Sequence, residues 1–180
     1  MAGLVQRQGW VFGLIVLFVL LLGGTWAIQP EYGASGIGSL VRAVLPYAFA
    51  VAAQTVVVLG GGIDLSIASM MALTSVTAAR MMGGASEEFA IVVVPLVLLL
   101  GLVLGAINGV LIVVTRVPDI IVTLAMLFVW QGAALLVLPS PGGGAAEWLR
   151  ALVVGTVPIP GVPEALTQWI PKALVLLLLC

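Results

Sequence analysis

Charge and apolar residues are segregated along this chain in a way that water-soluble folds do not tolerate. Its six basic residues (Arg7, Arg42, Arg80, Arg116, Arg150, Lys172) and seven acids stand mostly alone between long apolar runs. That is the pattern expected when charge is expelled from hydrocarbon. With 63% of residues hydrophobic, 7% charged and a mean hydropathy of +1.33, the solvent for most of the chain is lipid. There is no charge run to bind nucleic acid or an anionic lipid surface.

A membrane helix needs roughly 20 mostly apolar residues to cross a hydrocarbon layer about 30 Å thick. Dividing the 180 residues on that rule predicts a polytopic, all-α transmembrane helix bundle of about five spans and an incomplete sixth, forming one domain. The spans are Trp10–Ile28, Leu40–Leu59, Ile67–Met82, Phe89–Thr115 and Asp119–Leu138, with a sixth opening near Ile170. Gly33–Ser39 is expected to be a polar connection. The sixth span has only about ten residues before Cys180, which leads us to expect a sequence truncated at its C-terminus.

The N-terminus imitates a signal peptide, since Arg7 precedes an apolar stretch. At about 19 residues, Trp10–Ile28 suits a full span, and it is expected to be a retained first helix. The Pro- and Gly-rich stretch Pro139–Gln168 is too broken to span, although Glu147–Val154 fits a short amphipathic helix at the interface. Trp148 and Trp169 fit the interfacial aromatic belt.

The segment Gly60–Ser66, GGGIDLS, interrupts this pattern. Three successive glycines followed by an acid do not continue a lipid-facing helix. An ionised carboxylate at membrane depth costs about 2.5–3.5 kcal/mol on insertion scales, so Asp64 needs a partner or water. One reading is a broken helix lining a polar pathway at Asp64, with Gly60–Gly62 freeing the backbone and Ser66 opening the next half-helix. The other is a cap, in which Asp64 accepts the N–H groups of Ser66 or Ile67. The short third span, about 16 residues, fits a helix that begins inside the bilayer.

Arg116 and Asp119 flank Pro118, so that a cation closes one helix and an anion opens the next; a substrate-binding ion pair is the rarer alternative. Gly101, Gly105 and Gly109 set two overlapping GxxxG spacings on one face and predict close helix packing, with Asn108 hydrogen-bonded across that contact. Gln54, Thr55, Thr123 and Gln131 add polar groups inside other spans, where packing hydrogen bonds and a pathway are both open. The methionines around Met70, Met71, Met81 and Met82 read as packing.

Several chemistries are excluded. With no histidine and one cysteine, neither an all-protein zinc site nor an intrachain disulfide can form. GGGID is not a phosphate loop, because that motif requires a lysine followed by Ser or Thr, and the only lysine is Lys172. No Ser-His triad or HExxH site can be built, and no cofactor or metal is expected. The chain is therefore expected not to be an enzyme, and any ATP must bind another subunit.

Three stretches, in order and spacing, resemble the ribose/monosaccharide branch of bacterial ABC importer permeases. They are GGGIDLSIASMMAL at Gly60–Leu73, NGVLIVVTRVPDIIVTLAML at Asn108–Leu127 and VPIPGVPEALTQWIP at Val157–Pro171. The resemblance implies a multi-pass inner-membrane subunit that pairs with a second copy or paralogue and takes solute from a periplasmic binding protein. Cytoplasmic ATPase subunits would drive it through alternating access. It also implies a pathway role for Gly61, Gly62, Asp64 and Ser66, and a cytoplasmic N-terminus. Charge counting points the other way, because a cytoplasmic N-terminus puts Arg42, Arg80, Arg150 and Lys172 outside. In this family the segment that docks on the ATPase follows the sixth span, beyond Cys180. A non-transporting assembly subunit or a truncated remnant is the alternative expectation.

Overall fold

In hydrocarbon a backbone N–H or C=O finds no water, so a spanning segment must satisfy its polar groups internally and the helix is the local solution. A computed structural model describes residues 9–29, 32–158, 163, 167 and 170–179. Among these, the chain forms α1 (Gly9–Ile28), α2 (Ala34–Leu59), α3 (Ile67–Met82), α4 (Glu87–Thr115), α5 (Asp119–Val137), α6 (Glu147–Val153) and α7 (Lys172–Leu179). Helices α1, α2, α4 and α5 are long and apolar enough to cross a membrane, and α3 is a shorter apolar helix. The only strand-like pairing among the described residues is an isolated bridge between Thr156 and Pro171.

One boundary differs from expectation. Helix α2 begins at Ala34, so most of the Gly/Ser run expected to be a polar connection is its first two turns. The hydroxyl of Ser39 donates to the Ser35 carbonyl, which removes its demand for water. Gly36 lies flat against the Tyr32 ring, where a Cβ would come within 2.7 Å of it. The glycines here serve close packing rather than chain reversal. The third family-like stretch falls largely outside the described residues, as does Trp169.

Helices α3, α4 and α5 pack together, with α3 against both of the others; α2 packs mainly on α7, and α6 also meets α7. No residue of α1 is buried. A helix apolar all round with nothing packed on it is at home only in lipid or against another subunit. Leu73, Leu104 and Ala134 form the core between α3, α4 and α5, flanked by Met70, Leu100 and Trp130. A second cluster at the opposite end of α3 gathers Met82, Ala90, Val93 and Ala146.

That second cluster is held by backbone contacts. The Gly144 N–H donates to the Ala79 carbonyl at 2.9 Å, joining the Gly83 N–H at 3.0 Å on the same oxygen and capping the end of α3. The Glu87 carboxylate accepts the Glu147 N–H at 2.9 and 3.0 Å and so starts α6. Trp148, on α6, is 37% exposed.

Helices α2 to α5 alternate in direction, since Asp119 at the start of α5 meets Ile63 between α2 and α3, and Met82 at the end of α3 packs with Ala90 near the start of α4. The C-termini of α2 and α4 and the N-termini of α3 and α5 therefore lie at one end of the bundle, together with Asp64, Arg116 and Asp119. Arg42, Arg80, Glu87, Glu147, Arg150 and Lys172 lie toward the other end. At about 1.5 Å per residue the 16 residues of α3 reach only about 24 Å, short of a full hydrocarbon crossing. The irregular Gly62–Ser66 segment precedes it.

Candidate functional site

Helix α2 ends in a Schellman motif. The Gly62 N–H reaches back to the Val57 carbonyl at 3.0 Å and the Gly61 N–H to the Val58 carbonyl at 2.9 Å, with Gly61 left-handed at φ +82. A residue with a Cβ is strained there, which accounts for one glycine of the three. The next is explained by crowding, since a Cβ on Gly62 would stand 3.1 Å from Asp119 Oδ2.

Beyond Gly62 the backbone is neither helix nor strand, and its polar groups are taken up by side chains of α5. The Ile63 N–H donates to Asp119 Oδ2, while Asp119 Oδ1 accepts the Ile120 N–H at 2.9 Å. Thr123 Oγ1 accepts the Leu65 N–H at 3.2 Å and donates to the Ile63 carbonyl at 3.3 Å. One threonine thus replaces two ladder partners for the broken segment, and it is 1% exposed.

The start of α3 is fixed by a directional chain of donors. The Trp130 indole N–H donates to Asn108 Oδ1 at 3.2 Å, and Asn108 Nδ2 donates to Ser66 Oγ at 2.6 Å. The Ser66 hydroxyl donates in turn to Asp64 Oδ1 at 2.6 Å, and that oxygen also accepts the Ser66 N–H at 2.7 Å. Each donor points toward the carboxylate, so the bonds polarise one another in the same sense. Ser66 is 0% and Asn108 3% exposed, and among the described residues no buried side-chain N or O lacks a partner. Met70 Sδ lies 3.6 Å from both Ser66 Oγ and Asn108 Nδ2, a contact beyond packing alone.

These elements enclose a cleft of about 500 Å³ between the end of α2 and α4. Its lining includes Gly61, Gly62, Asp64, Asn108, Asp119 and Thr123. Among the described residues that line it there are two carboxylates and no cation.

The residues singled out in the sequence divide clearly. Gly61, Gly62 and Asp64 line the cleft, and Ser66 sits directly behind them. Asn108 and Thr123 join this group, whereas Gln54 and Thr55 do not line it; the Thr55 hydroxyl donates to the Val51 carbonyl of its own helix at 2.7 Å. Asp64 accepts the Ser66 N–H two residues on, one of the two amides the cap reading named, but in an Asx-type turn before α3; Ser66 itself holds the N-cap position and makes no side-chain cap bond. Gln131 is exposed.

The glycine face departs from expectation. Only at Gly101 would a Cβ meet a neighbour, in ordinary contact 3.8 Å from Thr74 Cγ2, while a Cβ on Gly105 or Gly109 would meet nothing within 4 Å. Those two glycines line the cleft instead of a helix contact, because α2 leans on α7 and leaves α4 uncovered there. Gly105→Ala and Gly109→Ala are therefore expected to leave stability unchanged or raise it by up to about 1 kcal/mol, the helical preference for alanine. Thermal unfolding in detergent checks this, and a loss above about 1 kcal/mol would show that the face is packed.

Arg116 ends α4 in the left-handed region at φ 55 and is exposed. Asp119 accepts the Ile63 N–H and the Ile120 N–H. Two site residues have no local signature in the sequence. Asp119 reads as a helix-start charge until its partner 56 positions away is brought beside it. Trp130 reads as an apolar residue, although an indole N–H in mid-span needs an acceptor, here supplied by Asn108 from another helix.

The chain is 34% identical over 129 residues to the inner membrane ABC transporter permease protein YjfF of Escherichia coli, covering 69% of this chain and 38% of that one. It is 30% identical over 183 residues to the autoinducer 2 import system permease protein LsrD of Photorhabdus laumondii, 97% of this chain and 51% of the relative. It is also 32% identical over 123 residues to the ribose import permease protein RbsC of Escherichia coli, 68% and 38% respectively. The chain belongs to the ABC importer permease family. It spans 38% to 51% of the length of these curated relatives. No family model matches, and no solved structure does. Membership accords with the all-helical architecture.

Proposed function

We propose that the chain forms the solute pathway in the membrane subunit of an importer for a monosaccharide or a related small polar solute, in a bacterial inner membrane. The observation that carries this reading is the break between α2 and α3, which sets hydrogen-bonding groups along a cleft of about 500 Å³ in an otherwise apolar bundle. Asp64, Asp119 and Thr123 offer acceptors, and Thr123 a hydroxyl, that can exchange partners with solute hydroxyls as a sugar sheds water. Two carboxylates without a lining cation disfavour an anionic solute and suit a neutral polyol. The names of the relatives, which specify ribose import and autoinducer 2 import, support transport over a purely structural subunit.

In this reading the pathway opens alternately to each side, driven by ATPase subunits that dock elsewhere on the assembled permease. Solute arrives from a periplasmic binding protein, a second permease copy or paralogue completes the membrane unit, and the N-terminus is cytoplasmic. Gly61, Gly62, Asp64 and Ser66 form the broken element, with Asn108 and Thr123 as its polar supports.

Uptake tests the proposal directly. Cells expressing the chain from its own locus are expected to accumulate labelled ribose or another neutral monosaccharide in an energy-dependent way. Gly109→Phe, which projects a ring into the open cleft, is expected to reduce this to background at unchanged protein level. Failure to accumulate any of a panel of monosaccharides, or uptake indifferent to Gly109→Phe, would overturn the assignment.

A further inference from the structure

We infer that the cleft closes by movement of α2 onto the Gly105–Gly109 face of α4, hinged at Gly61–Gly62 and restrained by the hold of Asp119 on the Ile63 N–H. This motion is the gating step of the importer proposed above and rests on that reading for its purpose.

The two ends of the broken segment are held very differently. At Ser66 the chain is fully buried and tied through Asn108 and Trp130 to both α4 and α5. At Gly61–Ile63 it is largely exposed, with Ile63 44% accessible, and its link to the α3–α4–α5 unit runs through the Asp119 carboxylate and the Thr123 hydroxyl. Helix α2 packs mainly on α7 and only slightly on α3, so α2 is one body and α3–α4–α5 another. Between them lies a segment whose glycines tolerate wide backbone change.

The opposite wall is shaped to receive α2. Val57 and Gly60 of α2 and Gly105, Gly109 and Ile112 of α4 line the same cleft from facing sides. A Cβ at Gly105 or Gly109 would find no atom within 4 Å, so the face is vacant in the form described. Two glycines one helical turn apart are what lets a second helix approach closely in a membrane. The packing that the spacing predicts and the open form lacks is the packing of the closed form. Gly62 is small because Asp119 Oδ2 lies 3.1 Å from where its Cβ would be, which brings the carboxylate against the hinge itself. Asp119 is on this account a positioning residue.

Cysteine cross-linking reads this motion without any transport. In a Cys180→Ser background, Val57→Cys is paired with Gly105→Cys or with Gly109→Cys in full-length protein in membranes, and oxidation rates are compared with those of Thr74→Cys paired with Gly101→Cys. The Thr74–Gly101 pair is already in contact and serves as the control. At least one α2–α4 pair is expected to form a disulfide, slowly in the parent and about tenfold faster with Asp119→Ala, the scale of one hydrogen bond to a carboxylate. Asp119→Asn keeps an acceptor and is expected to stay near the parent rate, and the control pair is expected to be indifferent to both. No α2–α4 disulfide while the control pair forms, or rates unmoved by Asp119→Ala, would overturn the hinge. If the control pair is itself lost in Asp119→Ala, comparison of Thr123→Val with the parent decides the same question. Cross-linking as expected in a protein that moves no sugar would instead count against the transport assignment alone.

Discussion

Asn108→Leu is expected to destabilise the protein by about 2 kcal/mol although it adds apolar surface inside a membrane bundle. Leucine is close to asparagine in size, so the change removes hydrogen bonds with little loss of volume. Asn108 accepts from Trp130 and donates to Ser66, and Asn108 and Ser66 are both buried. Single interhelical hydrogen bonds in membranes average about 0.6 kcal/mol, so the larger figure requires that the two bonds act together and that the indole N–H is left without an acceptor.

The loss should be local as well as global. Faster amide exchange is expected around Leu65 and Ser66, together with a change in near-ultraviolet dichroism from Trp130. Thermal unfolding in detergent within about 0.5 kcal/mol of the parent would mean that the donor chain is not what sets the start of α3. Asn108→Gln, which keeps the groups but moves them by one methylene, should fall between the two.

The second large effect is expected far from the cleft. Gly143 is left-handed at φ +88, and a Cβ there would come within 2.7 Å of the Ala79 carbonyl oxygen and 2.8 Å of the Ala79 Cβ. Both are parts of a helix, so neither can swing aside as a long side chain would. Gly143→Ala therefore combines backbone strain with a backbone clash and should cost about 2–4 kcal/mol.

The expected consequence is release of the loop that caps α3 through the Gly144 N–H, and with it the docking of α6 on Glu87. Gly142→Ala is the matched control, since its Cβ would meet only the Ser140 carbonyl oxygen at 3.9 Å. Equal unfolding temperatures for the two variants would refute the packing described at that end of the bundle.

The boundaries of α3 and the existence of the break at Gly60–Ser66 were legible in the sequence because they follow from local rules. Apolar run length sets a span, and three glycines beside an acid end one. The preference of Asp64 for its neighbouring Ser66 amide is also local, and so was expected. The start of α2 was not legible, because whether a Gly/Ser run is helix or connection depends on what packs on it, here Tyr32 against Gly36.

Sequence by itself therefore determined that this chain lives in a membrane, that it is helical, where its helices break, and which family it resembles. Those features depend on hydrophobicity and backbone preference, which each residue carries wherever it sits. Tertiary structure alone decided that Asp119 and Thr123 also serve the break, 56 and 60 positions away, and that Trp130 completes the chain of donors ending at Asp64. It also decided that Gly105 and Gly109 face a cleft instead of a neighbour. A spacing on one helix states what a face permits, whereas what fills it depends on where a second helix lies.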